Sequence, residues 1–148
     1  MGAEELPMKP GALLQRIFYP RTDTPELARQ AVENGAVAGW IMVAVHFVLG
    51  AFLIILIAPQ QTRISGDALL PAMIQIFLAF FYGALATYAW RDSRAAIITM
   101  FVVLVLDTLL VSLRVGQLDP QIAIHLLAII LAIGGVRGAI ALARNASR

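Results

Sequence analysis

A chain of 148 residues that is 60% hydrophobic and 14% charged is not built like a soluble domain, in which about a quarter of the residues carry charge. The net charge of +2 says less than the placement of the charges, and no nucleic-acid partner is expected. The absence of cysteine excludes disulfides, Cys-ligated zinc, iron–sulfur clusters and thiol catalysis.

Residues 1–33 read as an N-terminal cytoplasmic tail. Its first stretch, MGAEELPMKPG, is rich in Pro, Gly and charge, the composition of a mobile terminus. In residues 12–19, Leu13, Leu14, Ile17 and Phe18 share one helical face and Gln15 and Arg16 the other. This predicts a short amphipathic helix lying on the membrane surface. No signal-peptide core is visible in the tail, so the first span is expected to direct insertion itself.

Thr24-Pro25-Glu26 is a helix start: Thr24 can cap, Pro25 suits the first turn, and Glu26 meets the positive helix end. Glu26, Arg29, Gln30, Glu33 and Asn34 form a wet face; Leu27, Ala28, Ala31 and Val32 form a drier one. Residues 34–148 then read as a four-span bundle, with spans at about 35–58, 68–90, 94–115 and 120–143. Pro71 is expected in the first turn of span two, where a missing N–H costs little. Gln75 is the strongly polar residue near that span's middle, and Tyr82, Tyr88 and Trp90 thicken towards its far end as an aromatic belt does. Arg91-Asp92-Ser93 is a very short turn, with Ser93 placed to cap span three, so spans two and three are antiparallel neighbours. The fold class is therefore all-α, an up-down four-helix transmembrane bundle.

Orientation follows from the basic residues. Of the 11 Lys and Arg, nine (Lys9, Arg16, Arg21, Arg29, Arg91, Arg94, Arg137, Arg144 and Arg148) fall on one side, leaving Arg63 and Arg114 on the other. The positive-inside rule then puts both termini in the cytoplasm.

Span three, AAIITMFVVLVLDTLLVSLRV, carries Asp107, a carboxylate inside an apolar run. Such a group costs about 2.5–3.5 kcal/mol on insertion scales and needs a partner or a purpose. Counting along ideal helices at 1.5 Å per residue puts Asp107 roughly 12 Å and His125 roughly 8 Å below the outer surface. These two can meet across spans three and four. Arg114, two turns beyond Asp107 and leaning towards it, joins the expected polar cluster. His46, by the same count roughly 18 Å down, reaches the cluster only if span one packs beside it and tilts.

The two histidines raise the question of haem, and Gly50, four residues after His46, would leave room for a flat ring. The difference of about 10 Å in their estimated depths argues against bis-His ligation, so no cofactor and no metal are expected. Enzyme signatures are absent as well. There is no Gly-x-Ser-x-Gly, no His-Glu-x-x-His and no phosphate loop, and Ser112, His125 and Asp107 share only the residue types of a triad.

Small residues recur four apart: Gly35 and Gly39; Ala79, Gly83 and Thr87; Gly134 and Gly138; Gly135, Ala139 and Ala143. Such stripes let helices approach closely in lipid, either within the bundle or between subunits. Span four is the one preferred for self-association. Arg137 reads as an anchor snorkelling to the cytoplasmic interface, with Arg94 and Arg91 beside it and membrane lipids as partners.

Two short sequences, Ser93-Arg94-Ala95 after a tight turn and Gly135-Val136-Arg137-Gly138 closing the last span, resemble those of small four-span bacterial inner-membrane proteins of uncharacterised function. The resemblance implies the four-span fold and an inner-membrane location, and no activity. The reading is a non-enzymatic membrane protein, a homo-oligomer or an accessory subunit of a membrane complex. The alternative is a small transporter or proton or ion channel using Asp107 and His125.

Overall fold

A computed structural model describes residues 20–57, 66–115 and 120–146, except for the side chains of 57, 66–68, 114 and 115. Among the described residues there are four α-helices: α1 (Pro25–Ile57), α2 (Gly66–Trp90), α3 (Arg94–Val115) and α4 (Pro120–Ala146). All four are long and apolar enough to cross a membrane. Large apolar side chains such as Phe47, Ile55, Phe77, Phe80 and Leu113 point outward from the bundle, the arrangement of a protein that meets lipid rather than water. The expected interfacial helix at 12–19 lies outside the described residues.

Each helix packs on its neighbours in chain order, and α1 closes the ring by lying along α4 as well as α2. The seam is set by three-and-four spacing, the period that keeps one helical face inward. On α1 it runs Ala28, Ala31, Gly35, Gly39, Met42, His46 and Gly50. On α2 the buried residues Ala72, Ala79, Tyr82, Ala86 and Ala89 follow the same rule, as do Ile97, Met100 and Leu104 on α3. On α4 they are His125, Ala128, Ala132, Gly135 and Ala139. The interior is thus lined with small residues on three helices, and backbones approach closely.

The closest approach is between α1 and α4. A Cβ placed on Gly35 would come 2.6 Å from the Gly135 Cα, and one on Gly138 would come 2.9 Å from the Ala31 Cβ. Gly39 faces Met100 and Ala86, and Gly134 faces Pro20. The glycines of span four are therefore taken up inside the chain. The expectation of self-association through that stripe loses the surface it named. Gly83 is the loose one: among the described residues only Val43 comes near a Cβ placed there, at 3.5 Å.

The helix ends have local causes. The Thr24 hydroxyl accepts from the Leu27 amide at 3.3 Å and starts α1. The Ser93 hydroxyl accepts from the Ala96 amide at 3.4 Å and starts α3. Between α2 and α3 the chain reverses through Asp92, whose φ of 62° lies in the left-handed region that Asp tolerates better than most residues. Its carboxylate also accepts from Arg29 on α1 at 3.1 Å, tying the start of α1 to this turn. Pro71 lies inside α2 rather than in its opening turn, because the helix begins earlier, at Gly66.

Candidate functional site

The seam carries polar side chains at one level, and every helix contributes. His46 comes from α1, Gln75 and Tyr82 from α2, Asp107 from α3 and His125 from α4. His46 Nε2 lies 2.9 Å from Asp107 Oδ2, and His125 Nε2 lies 3.3 Å from the same oxygen. The Tyr82 hydroxyl also points at that oxygen, at 3.4 Å. Tyr82 stacks on His46, with ring centroids 5.4 Å apart and planes within 8°. His125 meets His46 edge to face, with centroids 6.2 Å apart. Both histidines and Tyr82 are buried; the Asp107 side chain keeps 12% exposure.

The outer nitrogens of the two rings are also held. His46 Nδ1 donates to Gln75 Oε1 at 2.6 Å, and His125 Nδ1 donates to the main-chain carbonyl of Gln121, one turn back, at 2.8 Å. Among the described residues, no buried side-chain nitrogen or oxygen lacks a hydrogen-bond partner.

These bonds dictate the proton arithmetic. Carbonyl and amide oxygens only accept, so each Nδ1 carries a hydrogen. A neutral ring protonated at Nδ1 presents a lone pair at Nε2. Two such lone pairs and a carboxylate oxygen then converge, three acceptors facing one another. One proton completes one of the two contacts. Two protons complete both and leave the centre with a net charge of +1. One divalent cation among the three atoms gives the same charge.

The structure corrects three parts of the sequence reading. His46 and His125 are not separated by about 10 Å of depth: they share one carboxylate oxygen. The count from helix ends failed because those ends do not share a plane. With the two histidines level, α1 runs on from His46 to Ile57, about three turns, whereas α4 begins at Pro120, about one and a half turns before His125. Tyr82 is not part of an aromatic belt, being fully buried against His46, whereas Tyr88 and Trp90 are exposed. The space beside Gly50 is filled by α2: a Cβ there would meet Ile76, Ala72 and Gln75, so this glycine lets Gln75 come up to His46 rather than admitting a flat ring.

Ser112 donates to the Thr108 carbonyl at 2.8 Å and Thr108 to the Leu104 carbonyl at 2.7 Å. Each hydroxyl is spent on its own helix, and Ser112 forms no relay with His125. The side chain of Arg114, placed in the cluster by the sequence reading, lies outside the described side chains. Arg91 and Arg94 are exposed at the α2–α3 turn, and Arg137 lies half-buried among Thr22, Asp23, Arg144 and Asn145.

Gln75 and Tyr82 are the members the sequence reading missed as site residues. They lie seven apart on α2, on the same face as Ala72, Ala79 and Ala86. A phenol and an amide on an otherwise alanine seam were the available signal.

Comparison with family models, with curated proteins and with solved structures finds no match to this chain. The class rests on fold and site alone: a four-span helical membrane protein with a buried His–Asp–His centre. The centre's three ligating atoms lie within 4.8 Å of one another, so the same residues are the ones that could hold a metal ion.

Proposed function

We propose that this is a non-enzymatic integral membrane protein of the small transporter or channel kind, which takes up and releases a cation at His46, Asp107 and His125. One observation carries the reading. Both histidines tie their outer nitrogens to acceptors and turn their inner nitrogens on one carboxylate oxygen. A fastener between two helices needs a single hydrogen-bonded pair. This arrangement draws on four helices and leaves a place for two units of positive charge at membrane depth, the pattern of an ion or proton site.

The alternative is a homo-oligomer or accessory subunit in which the cluster only holds helices together. The burial of both histidines favours it. In either case the proposed setting is a bacterial inner membrane with both termini cytoplasmic and Arg91, Arg94 and Arg137 meeting lipid headgroups. A reporter active only in the cytoplasm, fused after Arg148, is expected to be active. A silent reporter on a well-expressed fusion would contradict that orientation.

The function is tested in metal-free proteoliposomes containing a pH-sensitive dye, under an imposed potential. The parent protein is expected to pass protons faster than protein-free vesicles do. Asp107→Asn, incorporated to the same level, is expected to fall to the protein-free rate. If the parent itself is no faster than empty vesicles, proton transport is wrong and the accessory reading gains.

A further inference from the structure

We propose that His46, Asp107 and His125 form a binding site for one first-row divalent transition-metal ion, with zinc-like chemistry. This rests on the reading of the centre as a cation site and names the cation.

Four features point the same way. The first is spacing. Bonds of about 2.0–2.2 Å from imidazole nitrogen and carboxylate oxygen to such an ion place neighbouring ligands about 3 Å apart. The two nitrogens lie 2.9 and 3.3 Å from Asp107 Oδ2, and the three ligand atoms lie within 4.8 Å of one another, so the two rings draw slightly together to seat the ion. The second is tautomer. Metal-bound histidine is neutral and gives its other N–H to a carbonyl or carboxylate, which fixes the ring and raises its basicity. Both rings here make that outer bond, to Gln75 Oε1 and the Gln121 carbonyl. The third is rigidity: His46 is held by stacking on Tyr82 and by Gln75, so its nitrogen is aimed before any ion arrives. The fourth is exposure: Asp107, at 12%, is the member of the set that is not fully buried.

The donor set also selects. Two imidazoles and one carboxylate suit Zn²⁺, Co²⁺, Ni²⁺, Mn²⁺ or Fe²⁺, whereas Mg²⁺ and Ca²⁺ want oxygen ligands throughout. No thiolate is present to favour Cu(I). Tyr82, with its hydroxyl beside Oδ2, is placed to hydrogen-bond the ligating oxygen. Binding displaces the protons that otherwise bridge the three groups, so metal uptake and proton release are coupled.

The experiment uses the full chain, without an affinity tag, stripped by chelator in mild detergent and titrated with Co²⁺. A visible ligand-field band should grow, saturate at one equivalent and vanish on adding Zn²⁺. X-ray absorption of the Zn²⁺-loaded parent should show two imidazoles in the first shell, a readout that needs no variant. His46→Ala and His125→Ala should lose the band. Gln75→Leu, which removes only a positioning residue, should keep it with affinity about 10–100-fold weaker. No saturable band, or a zinc shell without imidazole, overturns the metal site. Should that happen while Asp107-dependent proton flux persists in metal-free vesicles, the cation reading stands with the proton as its ion. Tight metal binding without flux of either protons or the bound metal upholds the site and removes the transport reading.

Discussion

Asp107→Leu is expected to destabilise the folded bundle by about 2–6 kcal/mol. The substitution removes the oxygen on which His46 and His125 converge. Two buried ring nitrogens are then left without partners, and each such group costs about 1–3 kcal/mol. Asp107→Asn should be milder, because its amide can still donate to one of the two lone pairs. Replacing the whole set with Leu at 46, 75, 107 and 125 should recover most of the loss, since a buried polar network exchanged for apolar groups of similar volume is often neutral. Unfolding titrations in mixed micelles rank these variants. A single Leu at 107 that unfolds like the parent would mean that the carboxylate holds nothing together.

Gly135→Leu is expected to force apart the close α1–α4 contact. A Cβ at this position would already stand 2.8 Å from the Gly35 Cα and 2.8 Å from Ile97 Cδ1. Ile97 can turn aside, but the backbone at Gly35 cannot. Gly135→Ala should therefore cost about 1–3 kcal/mol by overpacking, and Leu more, with the helices forced apart. Gly83→Ala is the contrast. Only Val43 lies near, at 3.5 Å, and a helical Gly→Ala exchange gains up to about 1 kcal/mol in propensity. Melting curves in one detergent decide the matter. Equal losses at 83 and 135 would contradict the packing described. Loss of a dimer with the monomer's stability unchanged in Gly135→Leu would return that stripe to a subunit interface.

Much of this fold is legible in the sequence because lipid imposes so few solutions. Apolar runs separated by Pro59, by Arg91-Asp92-Ser93 and by Asp119-Pro120 mark four helices, and the tight second turn makes its flanking helices neighbours. Of the dry face, Ala28, Ala31 and Val32 are buried as read and Leu27 is half-buried, and Ser93 caps α3 as read. The candidate site is harder. Asp107 declares itself by charge, and His125 by lying on the next helix. His46 joins the cluster only on condition that its span packs beside it and tilts, because counting depth assumes that every helix ends at the same plane. Its position on the seam, seven residues after Gly39 and four before Gly50, was the better guide. Gln75 and Tyr82 follow the same spacing on α2. In lipid a polar residue on the small-residue face can only point inward, and that rule gathers His46, Gln75, Tyr82 and His125 beside Asp107. The distances and the tautomers come from the packing of helices against one another, which spacing along one helix does not contain.

The claim on which everything else rests is that both histidines share the Asp107 carboxylate. Solid-state NMR of the protein in bilayers, with ¹⁵N-labelled histidine and ¹³C-labelled aspartate, measures it directly. Both Nε2 resonances should show close nitrogen–carbon couplings to one carboxyl carbon, and that carbon's signal should be missing in Asp107→Asn. Couplings from only one ring, or to no carboxyl carbon, would contradict the shared centre.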